Sequence, residues 1–365
     1  MRILLSGYYG FGNVGDEALL QVIVAQLRAR YPFATLDVLS ATPEETAHEL
    51  GITATPRWDQ DAIRTAVARA DVVLSGGGGL LQNATSLKSL LYYAGIIRTA
   101  LRAGKRTMVF AQSIGPLDFW GKRTVRECCK GLHAATVRDG RSRALLSPLV
   151  PGTPIERTAD PVFLYDPPAR NGAQSEVLLD AEPLVVVAVR KTAHYADGVP
   201  VLAAAVDRLA ERHGARVAFV PFGGMPDAEA ATSVIRKCRS KPMLVPCDSL
   251  DDIAGTLARA TLVIGIRLHA LILAVRLGIP FLAVPYDPKV AGLLEDVAYP
   301  LPPLWTPGTR GDSARIDALV DGAWLRRNEL AAHLRDAAEH QRALARRNFD
   351  VLDDLVTAGR RPAAP

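Results

Sequence analysis

Residues 261–270 read TLVIGIRLHA. TLVIGI is a continuous apolar run of strand length, and LHALILAV, which follows, is apolar without strand alternation. A buried strand running straight into an apolar helix is half of a βαβ unit. Arg267 and His269 stand at the turn between them. Such a turn presents free backbone N–H groups and the positive end of the helix dipole. The arginine adds a planar cation suited to phosphate or carboxylate, and the histidine adds a group that titrates near neutral pH. One reading is a site that holds an anion and moves a proton. The plainer reading is an exposed Arg beside a helix-capping His.

The alternation continues on both sides. Before this turn come the strand LVVVAVR, the helix VPVLAAAVDRLAERHG, the strand RVAFVPF, the helix DAEAATSVIRKC, the strand PMLVP and the helix DIAGTLARA; after it comes the strand PFLAVPY. The N-terminal half repeats the pattern: strands RILLSGY, TLDVLSA, DVVLSG, RTMVFAQSIG and ATVRD, with helices at 16–31, 61–70, 87–104 and 126–132. This order predicts an α/β fold with parallel sheets covered on both faces. Residues 66–81, AVARADVVLSGGGGLL, echo residues 256–271, TLARATLVIGIRLHAL. Two doubly wound Rossmann-like domains facing a cleft, the glycosyltransferase-B-like arrangement, would explain that echo. Ligands in such sheets bind beyond the strand C-termini. The expected boundaries are an N-terminal domain over 1–165, a Pro-rich linker over 166–183, a C-terminal domain over 184–320, and a basic helical tail over 321–365.

A chain of 365 residues, 49% hydrophobic and 22% charged with a net charge of +5, suits two globular domains. The mild basic excess favours anionic ligands or a membrane surface over dedicated nucleic-acid binding. The four cysteines, Cys128, Cys129, Cys238 and Cys247, match neither a disulfide framework nor a zinc spacing, which suits a reducing, cytoplasmic setting. No His/Cys/Asp/Glu cluster suggests a metal, and no run of about 18 apolar residues suggests a membrane span.

The first βα loop, GYYGFGNVGDEALL, formally contains the dinucleotide fingerprint at Gly10, Gly12 and Gly15. Asp16 and Glu17 follow directly, where a cofactor pyrophosphate would sit, and would repel it. Carboxylates there suit sugar hydroxyls instead, and Tyr8, Tyr9 or Phe11 could stack on a sugar; the plainer role is to complement the helix dipole. Asn13 lies in the same loop. The glycines at 76–79 allow close backbone approach, which serves either tight packing of the loop against the neighbouring domain or a ligand-facing loop with Gly77, Gly78, Gln82 and Asn83 as contacts. AQSIGP ends another strand. Arg138 ends ATVRD, either in the same site or in a local ion pair with Asp139. In the second half, Arg190, Lys191, Tyr286 and Lys289 end strands and can converge with Arg267 if the sheet is parallel.

Taken together, GYYGFGNVGDEALL, SGGGGLLQ, AQSIGP, VRD, IGIRLHALILA and VPYDPKV resemble the polysaccharide pyruvyl transferases, in order from about residue 3 to 295. The family pattern carries Gly where this chain has Ser113. The resemblance implies transfer of pyruvate from phosphoenolpyruvate to a sugar as a cyclic ketal, with phosphate released and no cofactor. It maps donor binding and catalysis onto Arg190 and Arg267, backbone contact onto Leu268, and the essential histidine onto His269. In relatives the acceptor is a lipid-linked disaccharide containing N-acetylmannosamine. Three rival readings are a nucleotide-sugar glycosyltransferase of the same fold, a non-catalytic sugar-binding protein, and a nucleotide oxidoreductase disfavoured by Asp16 and Glu17. The C-terminal stretch WLRRNELAAHLRDAAEHQRALARRNF reads as a solvated helix whose apolar positions pack back on the protein. An arginine-rich helix of this kind can also touch the inner face of a membrane.

Overall fold

The computed structural model describes all residues except 85, 168–181, 193, 248, 310 and 359–365. The chain divides into two compact units, one formed by residues 1–164 with 341–365 and the other by residues 165–340. Most of the expected linker, 168–181, lies outside the described residues.

Unit 1 runs β1 (Arg2–Ser6), α1 (Val14–Arg30), β2 (Thr35–Ser40), α2 (Pro43–Leu50), β3 (Thr53–Pro56), α3 (Gln60–Arg69), β4 (Val72–Gly76), α4 (Leu87–Arg102), β5 (Arg106–Gln112), α5 (Phe119–Cys128), β6 (Ala134–Val137), α6 (Gly140–Leu146) and β7 (Ile155–Arg157). A 3-10 turn, Pro161–Leu164, closes it. Unit 2 runs β8 (Leu184–Ala188), α7 (Tyr195–His213), β9 (Arg216–Phe219), α8 (Met225–Ile235), β10 (Met243–Leu244), α9 (Leu250–Leu257), β11 (Ala260–Gly265), α10 (Leu268–Leu277), β12 (Phe281–Ala283), α11 (Pro288–Asp296) and α12 (Ser313–Leu325). Helix α13 (Arg327–Ala358) begins among unit 2 residues and ends among those of unit 1.

Among the described residues the strands form two parallel sheets, β3-β2-β1-β4-β5-β6-β7 and β10-β9-β8-β11-β12. Each unit therefore starts at a central strand, winds outward, and returns to the other side of that strand. The winding reverses between β1 and β4 in one sheet and between β8 and β11 in the other, and the C-terminal ends of such strand pairs are where doubly wound sheets hold ligands. The echoing segments occupy equivalent places: 66–81 leads through β4, and 256–271 through β11. The central strands are unbroken apolar runs because helices cover both of their faces; every residue of β4 and β8 is buried.

Sequence patterning missed α2, β3, α6, β7 and α11. Strands β3 and β7 are the two edges of their sheet and carry TATP and IER, which are only partly buried and have no apolar run to detect. Helix α2 buries Thr46 alone. Helix α5 starts at Phe119 rather than near Arg126, because Asp118 caps it by accepting from Gly121 N at 2.7 Å. The C-terminal stretch packs back on the protein through its apolar positions. Phe349 packs edge-on to Phe110 at 5.1 Å, and the buried Asn348 amide donates to Ala159 O at 2.9 Å, which builds the end of α13 into the core of unit 1. Arg347 pairs with Glu156 at 2.8 Å, leaving Arg346 exposed.

Candidate active site

Unit 1 gathers the β1–α1 and β4–α4 loops at its switch point. Tyr9, expected to face a sugar, instead turns inward: it is 1% exposed, and its hydroxyl donates to Gly76 O at 2.7 Å. Burial outweighs every other influence on that phenol and pushes its ionisation far above the ordinary range, so it stays a neutral donor. Its role is to tie the first loop to the glycine loop. Tyr8 and Phe11 carry the exposed aromatic surface, stacked at 4.2 Å between ring centroids.

Asp16 and Glu17 fill the first turn of α1, where the helix dipole favours negative charge. Glu17 accepts from Gly10 N at 2.9 Å and Phe11 N at 3.1 Å. Burial nevertheless dominates those bonds and lifts its carboxyl to about 7. A carboxylate shaped as a loop clamp thus becomes a group that can exchange a proton near neutral pH. The Asn13 amide donates to Asp16. A Cβ on Gly78, whose φ is +74°, would lie 3.0 Å from Asp16 Oδ1, so the glycine loop and the acidic turn are in contact. Gly78 O in turn accepts from Ser113 N at 2.9 Å, which places Ser113 beneath that loop. Gly77, Gly78, Gln82 and Asn83 line the same edge.

Arg138 is not an exposed ligand contact. It is buried, its Nε donates to Ala111 O at 2.7 Å, and Nη1 pairs with Asp160; its Nη2 is buried with no hydrogen-bond partner among the described residues. Asp139 caps α6 by accepting from Ser142 N at 2.7 Å, so it is not Arg138's ion partner.

Sequence reading missed Arg57. This residue is 2% exposed, donates to Gly7 O at 2.8 Å and to Tyr93 Oη at 3.0 Å, and lies 4.7 Å from the Phe11 centroid, 4.9 Å from that of Trp58 and 4.7 Å from that of Tyr92. A desolvated cation among aromatic faces makes a firm support, and here it stands behind the aromatic part of the first loop. The only local signal would have been an arginine flanked by Pro56 and Trp58.

Unit 2 brings the basic set to its own switch point. Arg267 is the N-cap of α10, with Leu268 and His269 in the first turn, all three partly buried. Asp227 fixes the Arg267 guanidinium from behind, accepting from Nε at 2.7 Å and from Nη2 at 2.6 Å. Asp227 is 1% exposed and was also missed, since no local pattern links α8 to a turn forty residues on. The guanidinium is packed so closely that a Cβ on Gly223 would sit 2.0 Å from Nη2. Arg190, exposed at the end of β8, donates to Tyr286 Oη at 2.9 Å and covers the Tyr286 ring at 5.4 Å. Lys191 is exposed beside it, and Asp287 caps α11 through Lys289 N at 2.9 Å. His194 is exposed at the start of α7. Among the described residues no group of three or more His, Cys, Asp or Glu is placed to hold a metal ion, and no helix is long and apolar enough to cross a membrane.

The sequence profile of the polysaccharide pyruvyl transferases matches residues 13–288. No curated protein matches the chain. Among solved structures, Anabaena Alr3699/HepE in complex with UDP-glucose aligns with TM-score 0.64 at 12% identity over 97% of this chain and all of that one. UDP-GlcNAc 2-epimerase from Neisseria meningitidis bound to UDP-GlcNAc aligns with TM-score 0.63 at 10% identity, covering 97% and 100%. A glycosyltransferase from Rickettsia africae aligns with TM-score 0.64 at 12% identity, covering 97% and 98%. At such identities these likenesses establish the fold, which is glycosyltransferase-B-like with two Rossmann-like sheets.

Proposed function

Because the chain belongs to the polysaccharide pyruvyl transferase family, we propose that it moves pyruvate from phosphoenolpyruvate onto a sugar of a cell-wall or surface polysaccharide precursor, as a cyclic ketal, with release of phosphate. Within the family the motifs resemble those of CsaB, which pyruvylates secondary cell-wall polysaccharide. The reading extends to a cytoplasmic enzyme with a lipid-linked acceptor and no cofactor. The observation that supports it best is the clustering of Arg190, Lys191, Arg267 and His269 at the switch point of one sheet.

Phosphoenolpyruvate carries a carboxylate and a phosphate on one carbon. Arg190 and Arg267 are the groups to hold them, and a helix N-terminus adds backbone donors. Asp227 occupies the Nε–Nη2 edge of Arg267 and leaves Nη1 for the ligand, so the cation is held in one orientation before the donor arrives. His269 protonates the methylene carbon, and a sugar hydroxyl adds to the cationic carbon and gives up its proton. Phosphate then leaves with the C–O bonding pair. A second hydroxyl closes the ketal, and its proton is the one released. Taken by itself, the acidic loop of unit 1 suits a sugar: Asp16, Asn13 and the glycine loop can bond to hydroxyls, and the Glu17 carboxyl, lifted to about 7, can exchange a proton near neutral pH.

The deciding experiment is calorimetric titration of the protein with phosphoenolpyruvate, beside UDP-glucose and NAD, together with turnover of the His269→Ala variant. The expected result is selective phosphoenolpyruvate binding that is lost in Arg267→Ala, and a 10²–10⁴-fold fall in turnover for His269→Ala. Preferential UDP-glucose binding would favour glycosyl transfer, and full turnover without His269 would remove the acid assignment.

A further inference from the structure

Four large apolar side chains stand exposed at the N-terminal ends of α4 and α5: Leu87 at 43%, Leu91 at 50%, Phe119 at 72% and Trp120 at 62%. The two helices pack side by side. Asn83 joins their starts: its Oδ1 accepts from Asp118 N at 3.1 Å, and a Cβ on Gly121 would come within 2.8 Å of the same oxygen. The Phe119 and Trp120 rings meet edge to face at 5.4 Å. Exposed aromatic and leucine side chains placed together in this way mark a contact surface.

The charges around them are one-sided. At about 100° per residue, Leu87, Leu91, Arg98 and Arg102 fall within about 60° of one another on α4, and Phe119, Arg123 and Arg126 do so on α5. On each helix the stripe is apolar at its start and basic along its shaft. Lys88 and Lys122 flank the apolar end, and all six cations are exposed. None of the six forms an ion pair among the described residues. The acids on this face are Asp118, already capping α5, and Glu127.

We propose that this face of α4 and α5 docks unit 1 on an anionic lipid bilayer. The apolar ends enter the boundary between headgroups and acyl chains, and the cations meet the headgroup phosphates. A protein partner fits less well, because interface cores are depleted of lysine and of unpaired charge. The face adjoins the β4–α4 and β5–α5 loops, at the sheet edge that carries Asp16 and Glu17. If the acceptor is lipid-linked, as the proposed function holds, docking brings its sugar to that edge. The docking itself does not depend on which group is transferred.

The test is co-sedimentation of the full chain with vesicles of phosphatidylglycerol and phosphatidylcholine, against phosphatidylcholine alone. Wild type is expected on the anionic vesicles only, with partitioning that falls steeply as salt rises. The pairs Leu91→Ser with Trp120→Ser, and Lys122→Glu with Arg123→Glu, are each expected to weaken partitioning ten-fold or more. Arg346→Glu on α13 should leave it unchanged. These side chains are exposed, so the variants keep their core, and circular dichroism verifies that. Failure of wild type to bind anionic vesicles, or binding by either pair as strong as that of wild type, overturns the proposal. A shift from dimer to monomer in sedimentation velocity on either pair overturns it in favour of a protein interface. Turnover with a water-soluble acceptor analogue, measured separately, reports on the transferase reading alone.

Discussion

The two switch points are alike in topology and opposite in chemistry. In unit 1 the loops after β1 and β4 present Asp16, Glu17 and the Tyr8–Phe11 stack; in unit 2 the loops after β8 and β11 present Arg190, Lys191, Arg267 and His269. Behind each stands one buried residue of the opposite sign: Arg57 behind the acidic and aromatic loop, Asp227 behind the basic turn. Winding order decides where a ligand can sit. The loop residues decide what it is, and a hidden counter-charge decides how firmly they are held.

The comparison breaks most severely if the hidden counter-charge is dispensable. Asp227→Ala leaves the Arg267 guanidinium, itself 13% exposed, without its bidentate partner. Truncating one member of a buried, hydrogen-bonded charge pair costs about 2–5 kcal/mol, and the partial exposure of Arg267 favours the lower half of that range. The expected outcome in denaturant unfolding is a loss of about 2–3 kcal/mol, with phosphoenolpyruvate binding weakened because the cation is no longer oriented. An unchanged midpoint with unchanged donor affinity would mean that Asp227 supports nothing.

The acidic side carries the next effect, and its direction with pH follows from one carboxyl. Burial raises folded Glu17 from 4.5 to about 7. At low pH both folded and unfolded chains hold the proton and nothing is lost. As pH rises from about 4.5 towards 7 the unfolded chain gives up this proton while the folded chain keeps it, so stability declines across that interval and levels off once the folded carboxyl ionises. Glu17→Gln keeps an acceptor for Gly10 N and Phe11 N and removes the charge. It should be more stable than wild type at pH 8, by on the order of 2 kcal/mol, with the two alike near pH 4. If Glu17 accepts a hydroxyl proton, the same variant loses the acid limb of the pH–rate profile near 7. Equal thermal stability at pH 8 would show that the carboxyl is not strained in this way.

These two cases also mark how far the sequence could be read. The central strands and their following loops were legible because unbroken apolar runs such as LVVVA and TLVIG have few other uses. The exposed end of each loop was legible because charge and glycine content are local. The supports were not, since Arg57 reaches Gly7 fifty residues away and Asp227 reaches Arg267 across forty. Tyr9 was misread for the same reason: an aromatic in a glycine loop looks like a ligand platform until Gly76, 67 residues on, claims its hydroxyl. Edge elements were missed because partial burial leaves no period to detect. Pattern carries short-range structure, whereas the rigidity of a site depends on contacts that only folding brings together.

The smallest effect sharpens the basic side. Tyr286 supports Arg190 twice, through a hydroxyl that accepts from Nη1 at 2.9 Å and through a ring 5.4 Å from the guanidinium carbon. Burial raises the phenol above its ordinary range, with the Arg190 charge only partly offsetting it, so the hydroxyl stays neutral and bonds as a dipole. Tyr286→Phe removes that bond and keeps the ring. A neutral hydrogen bond is worth about 0.5–1.5 kcal/mol net, which corresponds to a 2–10-fold rise in the KM for phosphoenolpyruvate. Turnover at saturating donor should hold if, as proposed, Arg190 holds the donor and transfers no proton. A larger loss confined to kcat would place Tyr286 in the chemical step, and no change at all would mean that the ring alone orients Arg190. Either result would separate this exposed, lightly braced arginine from Arg267, whose bidentate carboxylate brace is buried.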